Sequence, residues 1–263
     1  MKIRTIHLVY YSATFTTRRI MQAMAKAFEG MEVKEYDITD GTVGDDVTLS
    51  GDGDLLIVGV PSYAGRVPQM AVAPISHFIG SDTPAIGVCV YGNRAFDDTL
   101  IELQDLVEEN GFKMVAAAAF VAQHSIFPEV AHGRPDESDM KRVAEFAADC
   151  QNVLKRISQL ADIPHLRVKG NRPYRDAKPV PLHPKCDKGK CKACLACARQ
   201  CPTGAIPESE PCKTDTDKCI ACGRCIVVCK QGARRFGGLL YKAAELKLRK
   251  AFAGRKEPEE FLP

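Results

Sequence analysis

Hydrophobic and polar positions follow two alternating periodicities over the N-terminal part of the chain. Continuous apolar or β-branched runs predict five strands, and apolar positions three and four residues apart predict the helices between them. The predicted strands are Ile3–Tyr11, Val33–Ile38, Asp54–Val60, Ala85–Tyr91 and Met114–Val121. The predicted helices are Thr16–Phe28, Met70–Phe78, Asp97–Asn110 and Glu137–Leu160. Strands alternating with helices indicate an α/β fold with a doubly wound, five-stranded parallel sheet.

The pattern changes after this region, where five prolines interrupt a polar, basic stretch. Such a stretch is typical of an extended linker, which would let the segment beyond it swing between partners. We therefore divide the chain into an α/β domain (1–162), a Pro-rich linker (163–184), a cysteine-rich domain (185–235) and a basic helix and tail (236–263).

Charge divides along the same boundary. The net charge is −9 through Ile163 and +12 from Pro164 onward, which gives the overall +3. Opposite charges favour docking of the two halves. The basic half carries no known nucleic-acid-binding motif, so we expect no nucleic-acid partner. No apolar run reaches the ~20 residues of a membrane span, and the N-terminus lacks a signal-peptide pattern, so a cytoplasmic protein is expected.

A repeated cysteine motif lies in the basic half. Three cysteines at three-residue spacing and a fourth after three more residues occur twice, and the first run ends in Cys201-Pro202. In such runs three thiolates bind one [4Fe–4S] cluster and the fourth binds the other. The first predicted ligand set is Cys191, Cys194, Cys197 and Cys229. The second is Cys219, Cys222, Cys225 and Cys201.

Zinc and disulfides are the alternatives for these eight cysteines. A four-cysteine zinc site usually has two CxxC pairs with a longer gap, and disulfides require an oxidising compartment. Neither explains a third cysteine at the same interval. Cys186 and Cys212 lie outside both runs and are expected to be spare thiols, whereas Cys89 and Cys150 fit as small buried apolar residues.

A Ser/Thr-rich loop follows the first predicted strand, at Tyr11–Thr17. It resembles the phosphate loop of flavodoxins, where hydroxyls and free N–H groups at a helix N-terminus bind the FMN phosphate. Phe15 occupies the usual glycine position, and because Phe disfavours positive φ, we expect another loop conformation. A simple helix N-cap is the alternative.

Two further loops follow the third and fourth predicted strands. Together with the cysteine runs, His124 and the Glu-Pro-Glu tail, they resemble the family in which a flavodoxin-like domain is fused to a bacterial two-cluster ferredoxin. The resemblance implies sheet order 2-1-3-4-5, FMN and a small α+β ferredoxin-like domain. The implied FMN-binding residues are Ser12, Ala13, Thr14, Phe15, Thr16, Thr17, Pro61, Ser62, Tyr63, Ala64, Gly65, Tyr91, Gly92, Asn93, Phe96 and Asp97. Alternatively, these loops only shape turns, and His124 is structural.

Two [4Fe–4S] clusters and FMN together predict an electron carrier that exchanges electrons with a redox partner protein, in an anaerobic host. An FMN-dependent reductase fed by its own clusters is a second hypothesis, although no catalytic acid, base or nucleophile stands out. A third is a ferredoxin whose flavodoxin-like domain lacks flavin and only docks a partner, which Phe15 favours.

Overall fold

The computed structural model describes residues 1–42 and 44–263. Within them the strands are β1 (Thr5–Tyr10), β2 (Glu32–Asp37), β3 (Val47–Ser50), β4 (Asp54–Pro61), β5 (Phe78–Ser81), β6 (Thr83–Tyr91), β7 (Phe112–Val121), β8 (Lys185–Cys186), β9 (Arg234–Arg235) and β10 (Glu259–Phe261). The α-helices are α1 (Thr16–Lys26), α2 (Gln69–Ser76), α3 (Thr99–Glu109), α4 (Glu137–Arg156), α5 (Ala196–Arg199), α6 (Arg224–Val227) and α7 (Leu239–Ala251).

The main sheet has the order β2-β1-β4-β6-β7-β10. Its first five strands are those predicted from the sequence, and each pairs in parallel with its neighbours. Counted in chain order among themselves, these five strands have the order 2-1-3-4-5 in the sheet. This order confirms the predicted flavodoxin-like fold class. Two features differ from the prediction: β10 adds an antiparallel edge strand beside β7, and β3 and β5 form a separate parallel pair.

Helices cover both faces of the sheet. Ile20 and Met24 of α1 and Phe146 of α4 belong to one apolar core, whereas Ile75 of α2 and Leu103 of α3 belong to the other. The central strands are buried on both faces, which explains their continuous apolar sequences. Among the described residues, no helix is long and apolar enough to cross a lipid bilayer.

The Pro-rich stretch is bound to the surface of the α/β domain. The Leu166 carbonyl accepts a hydrogen bond from Gln104 Nε2 at 2.9 Å. The backbone N–H groups of Asn171 and Arg175 each donate to Asp98 at 2.8 Å. These contacts contradict the expectation of a freely swinging tether, because α3 and its preceding loop supply fixed hydrogen-bond partners for the segment.

The cysteine-rich region is built on an approximate internal repeat. Strands β8 and β9 pair antiparallel, and the short helices α5 and α6 contact each other. Each helix follows a residue in the left-handed conformation: Leu195 has φ of 62° and Gly223 has φ of 83°. The repeat in sequence is therefore a repeat in backbone geometry.

The C-terminal segment connects both regions. Tyr241 of α7 stacks on Phe127 of the α/β domain and on Phe236, which directly follows β9, with ring centroids 5.4 and 6.1 Å apart. Beyond α7, Asn93 Nδ2 donates to the carbonyls of Phe252 and Gly254 at 3.0 and 2.9 Å. The helix and tail thus link the cysteine-rich domain to the loops that follow β6 and β7.

Candidate metal centre

The first predicted ligand set converges on one small cavity. Cys191, Cys194 and Cys197 line it together with Cys229 from the second run. This is the crossed arrangement expected of a two-cluster ferredoxin. Cys194 is exposed and Cys191 half-buried, so this quartet lies near the protein surface.

The second quartet is more deeply buried and lies beside the α/β domain. Burial is the main cause that raises the pKa of Cys222 to about 11 and of Cys225 to about 12. The nearby charge of Cys201 adds to both shifts and to the raised pKa of Cys219. Thiols whose charges repel one another in a buried site favour a bound metal centre, which binds them as thiolates.

The crossing ligands have equivalent backbone surroundings. The N–H of Ala205 lies 3.3 Å from Cys201 Sγ, and the N–H of Ala233 lies 3.3 Å from Cys229 Sγ. Burial opposes the thiolate of Cys229, yet neighbouring backbone N–H groups outweigh it and lower the pKa of this thiol. Lys230 in place of a proline therefore leaves the ligand environment unchanged.

Positive φ values recur between the cysteines of both runs. Ala193 and Ala221 have φ of 49° and 54°, and they occupy equivalent positions in the two repeats. Left-handed residues turn successive backbone N–H groups toward the inside of a loop, which suits an anionic centre.

Three buried donors without partners surround the quartets. Within the described residues, Tyr11 Oη, Arg224 Nε and Arg234 Nε are buried and have no hydrogen-bond partner. The charges of Cys222 and Cys201 help burial raise the pKa of Tyr11, which places its hydroxyl beside the second quartet. Unpaired buried donors are costly, and cluster sulfurs are acceptors. The chemistry of the site therefore fits [4Fe–4S] clusters.

Arg224 joins the second cysteine run to the Ser/Thr-rich loop. Its Nη1 donates to the carbonyls of Ser12 and Ala13 at 3.2 and 3.1 Å. Its guanidinium carbon lies 4.4 Å from the centroid of the Phe15 ring. Arg224, Arg234 and the Tyr11 hydroxyl could not be predicted from the sequence, because no motif marks them.

The conformation expected of the Phe15 loop is wrong. Phe15 has φ of 65° and ψ of −3°, so it keeps the left-handed conformation that glycine would adopt there. This conformation costs a non-glycine residue roughly 1–2 kcal/mol. The Phe15 carbonyl accepts from the N–H of Arg19 at 3.0 Å, and Arg224 covers the ring. These contacts offset the backbone cost.

Most residues predicted to bind FMN lie around one narrow crevice of about 50 Å³. A cofactor pocket is typically about 300–1,000 Å³. The crevice is small partly because His124 fills the space beside Gly92, where an added Cβ would lie 2.8 Å from the His124 side chain. The lining residues from the predicted set are Ala13, Thr14, Thr16, Thr17, Pro61, Ser62, Tyr63, Tyr91 and Gly92.

The other predicted FMN residues contact the core or other parts of the chain. Phe96 is buried and packs edge-on against Tyr91, with centroids 5.4 Å apart, so the Phe96 ring is not free to stack on a flavin. Asn93 holds the tail, and Asp97 pairs with Arg175. The remaining members of the set are Ser12, which accepts from Arg18 N, together with Phe15, Ala64 and Gly65. In this docked arrangement the residues present do not fit FMN.

His124 has a structural environment. Its Nδ1 accepts from the N–H groups of Ile126 and Phe127 at 3.2 and 3.4 Å. Burial, helped by the charge of Arg94, lowers the pKa of His124 to about 4. The imidazole is therefore neutral at neutral pH and serves as a turn acceptor.

The expectation that Cys186 and Cys212 are spare thiols is wrong. Their sulfurs are bonded, with the Cα atoms 5.1 Å apart and the two cysteines 26 positions apart in sequence. Sequence spacing gave no sign of the pair, because the fold brings two separated loops together. Cys89 and Cys150 are free and fully buried, as predicted.

Comparison with known proteins identifies a known domain in the cysteine-rich region. The family model for the 4Fe-4S binding domain matches residues 187–206 and 213–235.

Solved structures are similar to this chain at low sequence identity. An archaeal flavodoxin is 14% identical, with 58% of this chain and 99% of that chain covered and a TM-score of 0.38. The FMN-bound flavodoxin of Fusobacterium nucleatum is 14% identical, with 57% and 98% covered and a TM-score of 0.40. Rubredoxin oxygen:oxidoreductase of Desulfovibrio gigas is 17% identical, with 59% and 37% covered and a TM-score of 0.38. No curated protein matches this chain.

The fold and the matched domain define a class. The chain is an iron–sulfur protein of the electron-transfer class, because it carries a 4Fe-4S binding domain. In domain order, a flavodoxin-like α/β domain is followed by the 4Fe-4S binding domain.

Proposed function

We propose that this chain is a two-cluster electron carrier. The observation that carries the proposal is the completion of each cysteine triplet by the fourth cysteine of the other run. All-cysteine sites of this type exchange single electrons and leave no iron position open for a substrate. The eight cysteines of the two runs are the proposed ligands.

The two proposed clusters differ in exposure. The quartet around Cys194 lies near the surface, and Lys192 lines its cavity. Three further cations close to its cysteines in sequence are exposed: Lys188, Lys190 and Arg199. The quartet around Cys222 is buried against the α/β domain. We infer that electrons enter and leave through the outer cluster and that the redox partner presents an acidic surface to it.

The α/β domain has a docking role in this proposal. Its Ser/Thr-rich loop binds Arg224, and the loop after β4 binds the linker through Arg66. The loop after β6 binds the linker through Asp98 and the tail through Asn93. These are the positions at which a flavodoxin would hold its flavin. We propose that the cysteine-rich domain and the C-terminal tail take the place of FMN there.

An FMN-containing carrier, or a reductase that uses FMN, is the second candidate. The observation that favours it is the left-handed Phe15, which keeps the loop shape of a phosphate site at the N-terminus of α1. Binding would require the cysteine-rich domain to move away from Ser12 and Ala13, because Arg224 contacts both carbonyls.

Anaerobic purification followed by iron, sulfide, zinc and flavin analysis separates these candidates. We expect about eight irons and about eight sulfides per chain, without flavin. One FMN per chain beside the same iron content would support the second candidate. Zinc, or iron without inorganic sulfide, would refute both.

A tyrosine substitution tests whether the buried donors act on a cluster. Tyr11→Phe removes only the hydroxyl beside Cys222 and Cys201. A donor stabilises the more negative, reduced cluster, and a difference of about 1 kcal/mol corresponds to roughly 40 mV for one electron. We expect one of two midpoint potentials to fall by about that amount in an EPR-monitored redox titration.

The neighbouring residue supplies a matched control. Tyr10 is equally buried, but its hydroxyl donates to Glu35 on the adjacent strand. Tyr10→Phe should leave both potentials unchanged. Equal potentials in wild type and Tyr11→Phe would show that the Tyr11 hydroxyl makes no bond to a cluster.

A further inference from the structure

The disulfide lies directly beside the outer ligand set. The sulfur atoms of Cys186, Cys212 and Cys191 all lie within 4.8 Å of one another. Cys186 also lines the same small cavity as Cys191, Cys194 and the rest of the first quartet. An electron on the outer proposed cluster therefore has the disulfide as its immediate neighbour.

The same disulfide is open to solvent on its other side. Cys186 and Cys212 are half-buried and line a surface cavity of about 530 Å³, together with Phe236 and Leu240. A second cavity of about 260 Å³ next to Cys186 is flanked by Lys185 and Arg235. The first volume is that of a small-molecule site, and Lys185, which lines both cavities, favours an anionic ligand there.

We propose that Cys186 and Cys212 form a redox-active disulfide that takes electrons from the clusters and reduces a low-molecular-weight, acidic disulfide compound. The inference rests on the proposed two-cluster function and extends it with a substrate class. An electron carrier does not need a disulfide at this position. A disulfide that only stabilises the fold does not need a cluster ligand beside it.

The first half-reaction consumes two electrons. One electron from each reduced cluster and two protons from water cleave the Cys186–Cys212 bond and leave two thiols. Both clusters return to the oxidised state, so the two single-electron centres together match the two-electron disulfide. The redox partner of the proposed function supplies the electrons that reduce the clusters again.

The second half-reaction is thiol–disulfide exchange. One cysteine of the pair, as thiolate, attacks a sulfur of the bound compound and releases one thiol of it. The other cysteine attacks the mixed disulfide, which releases the second thiol and restores the Cys186–Cys212 bond. The compound gains two electrons and two protons, and the pair loses the same.

Thiol trapping tests the first half-reaction in the full holoprotein. The clusters are reduced anaerobically with a photochemical one-electron donor, and free thiols are then alkylated and located by peptide mass spectrometry. We expect Cys186 and Cys212 to be linked before reduction and alkylated after it. Electron uptake should be about four per chain, against about two in a Cys186→Ala/Cys212→Ala variant with intact clusters.

A ligand variant serves as a control for the role of the outer cluster. Cys194→Ala removes an exposed ligand of the outer quartet. Because reduction of the disulfide needs the outer cluster, the Cys186–Cys212 bond of this variant should stay linked under the same illumination. Wild-type protein that still contains the linked pair after both clusters are reduced would overturn the proposal, as would protein in which the pair is never linked. These outcomes need no variant, so misfolding of the double variant cannot mask them.

The exchange step is tested with two probes of opposite charge. Reduced wild type should convert oxidised glutathione, which is anionic, at least tenfold faster than cystamine, which is cationic. Equal rates would refute the charge preference, and no conversion of either would refute the exchange step. Iron and sulfide counts separate the two proposals: absent clusters refute the electron carrier, whereas intact clusters beside an inert disulfide refute only this inference.

Discussion

Replacing Cys201 by alanine should remove the cluster bound by the second cysteine run and leave the cluster of its own run in place. The reason is the crossed arrangement, in which Cys201 lies with Cys219, Cys222 and Cys225. We expect the iron content to fall from about eight to about four per chain. Anaerobic iron analysis and EPR of the reduced protein measure both the loss and the identity of the remaining cluster.

Pairs of variants identify which cluster has been lost. Cys201→Ala should give the same residual EPR spectrum as Cys219→Ala, and Cys229→Ala the same spectrum as Cys191→Ala. Cys150→Ala, a buried cysteine of α4 remote from both quartets, should retain full iron. If Cys201→Ala instead matches Cys191→Ala, each run holds its own cluster and the crossed assignment is wrong.

The main sheet could be predicted because its central strands are buried on both faces and their sequences are continuously apolar. Strand β10 could not be predicted this way, since two of its three residues are glutamates. Its formation depends on tertiary contacts: β7 offers an open edge, and Arg142 Nε binds Glu260 at 2.7 Å. Pairing across the fold outweighs local preference in this case.

The cysteine ligands were predictable for a different reason. Their spacing determines the loops that bring three thiols together, so the ligand geometry can be predicted from the spacing alone. The bond between Cys186 and Cys212 depends on where the fold places two separated loops, and spacing carries no such information. The linker shows the same limit, because its docking depends on acceptors such as Asp98 and Asp105 in a distant part of the chain.

Phe15 shows how tertiary contacts change a local prediction. Propensity argues against positive φ for this residue, and the structure nevertheless has it. The guanidinium of Arg224 lies over its ring and binds the carbonyls of Ser12 and Ala13. The loop conformation and the position of the cysteine-rich domain therefore depend on each other.

Substitution of Arg224 by glutamine should loosen the cysteine-rich domain from the Ser/Thr-rich loop. The change removes the bonds to the Ser12 and Ala13 carbonyls and the contact with Phe15. Hydrogen bonds from a charged donor contribute about 1.5–3 kcal/mol, and a cation–π contact about 0.5–1 kcal/mol at exposed sites. A net loss of about 2–3 kcal/mol raises the population of the undocked state roughly 30- to 150-fold.

Hydrogen exchange of the holoprotein measures this change site by site. Amides at the start of α1 should exchange faster by a similar factor, whereas amides of the central strand β1 should keep their protection if the α/β domain stays folded. Arg199→Gln is the matched control, because Arg199 lies at the end of the equivalent helix α5 and its partner Glu208 is exposed. An exposed ion pair of this kind contributes little, so its loss should leave the α1 amides unchanged. Equal exchange in wild type and the Arg224 variant would mean that the apolar contacts of α7 hold the two domains together without Arg224.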